Sequence, residues 1–94
     1  MSAPEILVRV VKEDALRSEL TVRVRDGSGE SKHEVTLARD MVQRLAAGEP
    51  AESFVRRCFV FLLERESKES ILRHFDVSVI SKYFPEFERT IAVK

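Results

Sequence analysis

The sequence predicts an α+β domain, in which an N-terminal antiparallel sheet of three strands is packed by three or four C-terminal helices. Two local patterns carry this prediction. The dipeptide Asp26-Gly27 lies between two stretches of alternating apolar residues, which is the pattern of a β-hairpin. Residues 53–66 place apolar side chains along one broad arc of a helix, and an arc of that width packs against a sheet and other helices at once. A chain of 94 residues suffices for a single domain, residues 1–94, with one continuous core.

Three strands are expected before residue 38. Residues 5–12 are rich in β-branched side chains, which favours a strand. Residues 19–26 and 31–37 flank the Asp-Gly turn and alternate between apolar and polar side chains. The apolar side of this hairpin comprises Leu20, Val22, Val24, Val35 and Leu37, with His33 beside them. An isolated hairpin is marginally stable in water, so we expect the first strand or a helix to pack against it.

Four helices are expected after the sheet, at about residues 38–47, 50–66, 68–75 and 77–84. Gly48 suits the C-terminus of the first helix, and Pro50 suits the first turn of the second. The apolar arc of the second helix comprises Phe54, Val55, Cys58, Phe59, Phe61 and Leu62. Residues 77–79 are Val-Ser-Val, which also favours a strand, so the last segment is helical or extended. Phe87 and Ile91 are expected to fold back on the core.

The composition is that of a globular protein without a strong net charge. The 16 basic and 16 acidic residues cancel, so no overall field attracts the chain to nucleic acid or to a membrane. No apolar stretch approaches the ~20 residues that span a bilayer. The N-terminal stretch carries no basic leader, and Arg9 interrupts its apolar run, so no signal peptide is expected. Together with the single cysteine, Cys58, these features predict a cytoplasmic protein.

The residue types that carry catalysis or bind metals are few and scattered. Cys58 lies on the apolar arc, where burial raises the pKa of a thiol and makes it unreactive. His33 and His74 lie far apart on different elements, and the chain has no closely spaced pair of zinc ligands. The mixed charges between residues 64 and 73 are expected to form a solvated helix face. We therefore predict no catalytic residue, no cofactor and no metal site.

Residues 71–78, with the sequence ILRHFDVS, resemble the first helix and the turn of a helix-turn-helix DNA-binding protein. The resemblance implies a recognition helix in residues 79–84, with Lys82 as its base or phosphate contact. A plain helical hairpin that closes the core fits the same residues. We favour the plain hairpin because the second helix is short and the net charge is zero.

Residues 34–63 are similar to ribbon-helix-helix repressors, because a strand is followed by a helix, a Gly/Pro break and a second apolar helix. The resemblance implies that the strand pairs with the same strand of a second subunit. Here the Asp-Gly turn supplies a partner strand within the chain. The outward face of the hairpin carries Arg23 and Arg25, which could contact phosphates. The alternative is that both arginines form solvated cross-strand pairs opposite Glu34.

Residues 59–88 resemble a family of small bacterial proteins of unknown function. That resemblance implies a bacterial cytoplasmic protein and brings no activity, site or ligand with it. The residues themselves predict a non-enzymatic protein-interaction or accessory module. Its basis is the aromatic density near the C-terminus, where Tyr83, Phe84 and Phe87 are candidates for a surface that contacts a second copy of the chain or a protein partner. The alternative for these aromatics is a place in the core.

A DNA-binding regulator is the alternative function. It would use the helical hairpin of residues 67–84, or the ribbon that carries Arg23 and Arg25, with Lys82 as a further contact. Nucleic acid is a partner only on this alternative, and neither a membrane nor a metal is expected as a partner.

Overall fold

A mixed sheet of four strands, with helices on one of its faces, makes up the fold. The computed structural model describes residues 3–93. Residues 1 and 2 of the N-terminal stretch, where no signal peptide is expected, lie outside this range. The strands are β1 (Glu5–Glu13), β2 (Arg17–Asp26), β3 (Gly29–Ala38) and β4 (His74–Asp76). The helices are α1 (Arg39–Ala46), α2 (Ala51–Leu63), α3 (Ile80–Tyr83) and α4 (Phe87–Ile91). The α+β class and the three N-terminal antiparallel strands are confirmed.

The β2–β3 hairpin forms at the Asp-Gly turn. Asp26 pairs with Gly29, so the connection is two residues long. The carboxylate of Asp26 accepts hydrogen bonds from the backbone N–H of Ser28 at 2.8 Å and from its hydroxyl at 2.7 Å. Gly29 has a φ of +131°, which residues with a side chain rarely adopt. Local chemistry at the turn therefore sets the register of both long strands.

The core lies between the inner face of the sheet and α2. The five apolar residues predicted for the inner face of the hairpin are each at most 2% exposed. All six residues of the predicted helical arc are buried as well, whereas Val60 on the opposite side of α2 is exposed. α2 runs beside β1, where the side chain of Arg56 reaches the carbonyl oxygen of Ile6. Two simple periodicities, that of a strand and that of a helix, were sufficient to identify these core residues.

The predicted helix over residues 68–75 does not form. A 3₁₀ turn at Lys68–Ser70 is followed by extended chain and by β4, which lies parallel to β3. The reason is non-local, because the N–H of Glu34 on β3 donates a hydrogen bond to the carbonyl oxygen of Arg73 at 2.7 Å. The segment thereby satisfies backbone groups along an edge of β3 that would otherwise be unpaired. Phe75 is buried in the core at the same time.

Residues 77–84 are helical, but in two short pieces. A 3₁₀ turn at Val77–Val79 leads into the single turn of α3, and Asp76 caps its start by accepting a hydrogen bond from the N–H of Ser78 at 2.9 Å. Residues 67–84 therefore contain no pair of α-helices of the helix-turn-helix kind. β2 lies on one side of β3, and β4 pairs with Glu34–Thr36 on the other side, so the strand expected to form the ribbon of a ribbon-helix-helix protein is already paired within the chain.

The C-terminal segment returns to the core through α4, which the sequence did not predict as a helix. Phe87 and Ile91 are both buried, as expected for residues that fold back. The carbonyl oxygen of Ile91 accepts a hydrogen bond from Arg57 at 2.7 Å, and the N–H of Val93 donates to the carbonyl oxygen of Leu45 at 2.8 Å. These two bonds attach the end of the chain to α2 and α1.

Candidate functional site

An apolar groove with a volume of about 250 Å³ lies beside the C-terminal end of α2. We refer to it as the C-terminal groove. Its walls come from the end of α2, the chain around Ser70, β4 and α3. The lining residues are Leu62, Glu66, Ser70, Ile71, Leu72, Phe75, Val79, Ile80, Tyr83 and Phe84. The volume is below the roughly 300–1,000 Å³ of small-molecule pockets, so the groove suits one or two side chains of another protein.

Two large side chains on the rim of the C-terminal groove are exposed. Tyr83 is 67% exposed and Leu72 is 48% exposed. Exposed apolar side chains that share one concave surface mark interaction sites, whereas isolated ones carry no such meaning. Phe84 is partly buried, with its ring edge-to-face against Phe61 at a centroid distance of 5.8 Å. The structure therefore brings Tyr83 and Phe84 together on one surface.

Phe87, the third aromatic of the predicted partner surface, lies in the core. It is fully buried, and its ring packs edge-to-face against Phe61 at 5.1 Å. Arg65 braces the same region, because its guanidinium carbon lies 3.6 Å from the centroid of the Phe61 ring and its side chain pairs with Glu86 at 3.3 Å. Aromatic contacts with Phe61 of α2 and charged contacts of Arg65, just after α2, thus anchor the wall that carries Phe84.

Glu66 is the one charged residue that lines the C-terminal groove. Partial burial raises the pKa of its carboxyl group above the usual value. Among residues 3–93, no basic side chain forms an ion pair with it. The groove therefore combines an apolar surface with a carboxylate that lacks a cation. Sequence reasoning placed Glu66 on a solvated helix face, because the groove is formed by segments that approach one another only in the folded chain.

A second surface lies on the outer face of the sheet, on the side away from α2. Arg23 lies opposite Lys32 in the β2–β3 register and opposite Leu7 in the β1–β2 register. Together with Arg9, these side chains line an open depression of about 410 Å³. None of the three basic residues forms an ion pair within the described part of the chain. Like charges directly opposite one another on a sheet are destabilising, so this basic cluster favours an anion.

The other two basic residues predicted as nucleic-acid contacts lie elsewhere. Arg25 forms ion pairs with Glu30 at 2.6 Å and with Glu5 at 3.6 Å. Arg25 therefore forms the solvated cross-strand pairs that the sequence offered as the alternative to phosphate contact. The expected partner was wrong, because Glu34 lies opposite Thr21 and opposite neither Arg23 nor Arg25. Lys82 is exposed on α3 and lines neither the C-terminal groove nor the basic depression.

The cysteine and the two histidines lie in three different environments. Cys58 is fully buried, and burial strongly raises the pKa of its thiol. His33 is buried against Phe59 at a ring-centroid distance of 5.3 Å, whereas His74 is exposed on β4. Residues 3–93 contain no cluster of three or more His, Cys, Asp or Glu side chains suited to a metal ion. No helix within that range has both the length and the apolar character that crossing a bilayer requires.

Lys68 is the charged residue whose position sequence reasoning missed. Its ammonium group is buried, and it donates hydrogen bonds to the carboxylate of Asp26 at 2.9 Å and to the hydroxyl of Ser28 at 2.6 Å. The bonds from Lys68 and Ser28 lower the pKa of Asp26 to about 2. Asp26 is 42 positions away along the chain, so no local pattern indicates this pair. The contact ties the 3₁₀ turn beside the groove to the hairpin turn.

Comparisons of the chain with protein-family models, with curated proteins and with solved structures gave no match. Two surfaces of the molecule carry chemistry that a partner could recognise. The C-terminal groove offers apolar area with one carboxylate, and the outer face of the sheet offers a basic cluster.

Proposed function

We propose that this chain is a non-enzymatic protein-interaction module that binds a segment of a partner protein in the C-terminal groove. The supporting observation is that exposed Tyr83 and Leu72 share one concave apolar surface with the unpaired carboxylate of Glu66. Aromatic side chains are enriched at protein interfaces because they combine a large apolar area with a polar group. The buried Phe87 contributes to this surface only by supporting Phe84 through Phe61.

The chemistry of the groove defines the partner segment. An apolar side chain fits between Leu72 and Tyr83, and the volume leaves room for one or two such side chains. A neighbouring Lys or Arg of the partner would place its cation near Glu66. That pairing stabilises a carboxylate whose charged form partial burial disfavours. We therefore expect a short segment with an apolar residue adjacent to a basic one.

Selection from a peptide display library tests this proposal. We expect enriched peptides to share an apolar–basic pair and to shift the amide signals of the groove residues in NMR spectra. Truncation of an interface aromatic at the centre of a contact commonly weakens binding by tenfold or more, so Tyr83→Ala is expected to lower affinity by about that factor. Leu16→Ala is the matched control, because Leu16 is equally exposed but lies in the connection between β1 and β2.

The Glu66→Gln variant separates charge recognition from apolar contact. It is expected to weaken binding of the selected peptide and to leave unchanged the binding of a version whose basic residue is replaced by Gln. Enriched peptides that lack the apolar–basic pair, or that bind the Tyr83→Ala variant as tightly as the natural chain, would contradict the proposal.

A nucleic-acid function is a second candidate, and the observation that favours it is the basic depression on the outer face of the sheet. Arg23, Lys32 and Arg9 have no acidic partners there, whereas Arg25 is engaged by glutamates. If the surface contacts phosphates, binding to a mixed-sequence duplex weakens steeply as salt rises, and Arg23→Gln reduces both affinity and salt dependence. Arg25→Gln is the matched control with a smaller expected effect. Absence of amide shifts on β1, β2 and β3 at low salt would exclude this candidate.

The cytoplasm is the compartment we propose for this module. Cys58 is a free and buried cysteine. Small proteins of oxidising compartments commonly pair their cysteines, so a single free thiol fits a reducing environment.

A further inference from the structure

β1 forms an outer edge of the sheet, and the direction of its free backbone groups follows from one hydrogen bond between β3 and the chain before β4. The N–H of Glu34 on β3 donates to the carbonyl oxygen of Arg73, so the backbone of Glu34 faces β4. Backbone groups alternate sides along a strand, so the backbone of Val35 faces β2, where Leu20 lies opposite. Leu20 and Val35 are therefore a hydrogen-bonded pair.

The same alternation continues from β2 to β1. Because Leu20 faces β3, the backbone of Thr21 faces β1, where Arg9 lies opposite. The alternate residues of β1, which are Ile6, Val8 and Val10, therefore direct their N–H and C=O groups away from the sheet. The position of Arg56 supports this assignment, because its side chain approaches the carbonyl oxygen of Ile6 at 3.4 Å from the free side.

The side chains of the same three residues are incompletely covered. Ile6, Val8 and Val10 point to the inner face of the sheet and are only partly buried, whereas their neighbours on β2 are at most 2% exposed. The inner-face side chains of β1 are thus less completely buried than those of β2. Val60 lies four residues after Arg56 on the same side of α2 and is 46% exposed. Among residues 3–93, the outward carbonyl oxygen of Ile6 accepts a hydrogen bond from Arg56 at 3.4 Å, and it is the one outward group of these three residues with a side-chain partner. Uncovered apolar side chains on the strand and on the helix flank this edge.

We propose that β1 pairs in antiparallel orientation with β1 of a second copy of this chain, about a two-fold axis that passes through Val8. Val8 then lies opposite Val8 of the partner subunit, and Ile6 lies opposite Val10 of the partner subunit. The exposed Arg56 side chain turns away from the carbonyl oxygen of Ile6, and the N–H of Val10 of the partner subunit replaces it. The three resulting pairs then each exchange two hydrogen bonds, and the two sheets become continuous. The partly buried side chains of both copies meet on the inner face, and the two α2 helices flank the junction through Val60. The pairing is independent of the C-terminal groove.

The register follows from the chemistry of the strand. A shift by one residue would place inner side chains opposite outer ones. A shift by two residues in one direction would place Arg9 opposite Arg9 of the partner subunit, and like charges directly opposite are destabilising. A shift by two residues in the other direction would place Pro4, which has no N–H, at a hydrogen-bonding position. The irregularity between Val10 and Lys12 ends the regular part of β1. The register centred on Val8 therefore allows more regular hydrogen-bonded pairs than the alternatives.

Disulfide crosslinking with single-cysteine additions tests the register. Residues opposite one another in a hydrogen-bonded pair have Cα atoms about 5.5 Å apart, within the range that a disulfide bridges. Val8→Cys is therefore expected to yield a covalent dimer on mild oxidation. Ile6→Cys is the matched control, because Ile6 lies opposite a different residue and has no second cysteine within reach. Cys58 is buried and does not compete. Equal crosslinking of the two variants would reject the proposed register.

Sedimentation equilibrium over a concentration series tests the association itself. The natural chain is expected to dimerise, and the amide shifts of Ile6, Val8 and Val10 are expected to depend on concentration. Val8→Pro removes the outward N–H without removing a β1–β2 hydrogen bond, and it is expected to be a folded monomer. Val60→Lys, at an exposed helix position, is a second variant that weakens association without touching the strand. A natural chain that stays monomeric at every concentration, or two variants that dimerise as well as it does, would overturn the proposal.

Discussion

Lowering the pH from 7 to 5 is expected to destabilise the fold through His33. Its ring is 1% exposed, and both nitrogens are engaged. Nδ1 lies 2.8 Å from the carbonyl oxygen of Leu72, which can only accept, so Nδ1 carries the proton. Nε2 lies 2.8 Å from the hydroxyl of Ser31 and accepts its hydrogen bond. The neutral ring is thus fully satisfied, and a second proton would place a charge in the core beside Phe59.

The size of the effect follows from the pKa of His33 in the two states. Burial, together with the nearby charge of Arg73, lowers the pKa of His33 in the folded chain below 6.5, and the hydrogen bond to Leu72 opposes this only in part. In the unfolded chain the pKa is about 6.5. Between these two values the unfolded chain binds the proton and the folded chain does not, so the free energy of unfolding decreases as the pH falls below about 6.5. For one proton the slope is at most about 1.4 kcal/mol per pH unit, and the effect ends below the folded pKa.

Urea denaturation at a series of pH values between 7 and 5 measures this slope. His33→Gln cannot titrate, so the difference in free energy of unfolding between the natural chain and this variant is expected to depend on pH. His74→Gln, which replaces the exposed histidine, is the matched control. NMR titration of the ring protons reads the pKa of His33 directly. Parallel curves for the natural chain and His33→Gln, or a pKa of His33 at or above 6.5, would refute the reasoning.

Three further expectations concern buried groups. Lys68→Met is expected to raise the pKa of Asp26 from about 2 towards its ordinary value, which an NMR titration measures. The variant should also have a lower Tm than the natural chain. Thermal melts should show this difference shrinking as the pH falls towards 2, because the natural chain then loses the ion pair as well. Phe87→Ala is expected to cost about 3–5 kcal/mol in urea denaturation, whereas Tyr83→Ala should change stability by less than about 0.5 kcal/mol. The thiol of Cys58 is expected to resist alkylation in the folded chain and to react on unfolding, as mass spectrometry would show.

Local patterns were sufficient for the hairpin and for α2. The turn at Asp26 and Gly29 depends on a carboxylate and on a glycine within four residues of one another, and the flanking strands repeat with a period of two. The buried residues of α2 can be predicted from their spacing in the sequence, because residues three and four positions apart lie on the same face of a helix. Such features depend on neighbours along the chain, so they can be read without knowledge of the rest of the molecule.

The candidate site was predictable only in outline. The aromatic density near the C-terminus indicated a surface that includes Tyr83 and Phe84, and both line the C-terminal groove. Aromatic composition does not distinguish a ring that faces solvent from one that faces the core, so it grouped Phe87 with the surface aromatics. The separate expectation that Phe87 folds back on the core is the one that the structure confirms. Glu66 belongs to the groove because a turn, a strand and a helix from later in the chain close around it.

The sequence by itself determined the fold class, the hairpin with its apolar face and the buried face of α2, since each depends on the chemistry of adjacent residues. Only the tertiary structure decided the fate of residues 68–76. Their propensity favours a helix, but the hydrogen bond from Glu34 to Arg73 and the burial of Lys68 against Asp26 require partners about 40 positions away. Weak local preferences yield to backbone pairing and core burial, because those contributions sum over many contacts that exist only once the chain has folded.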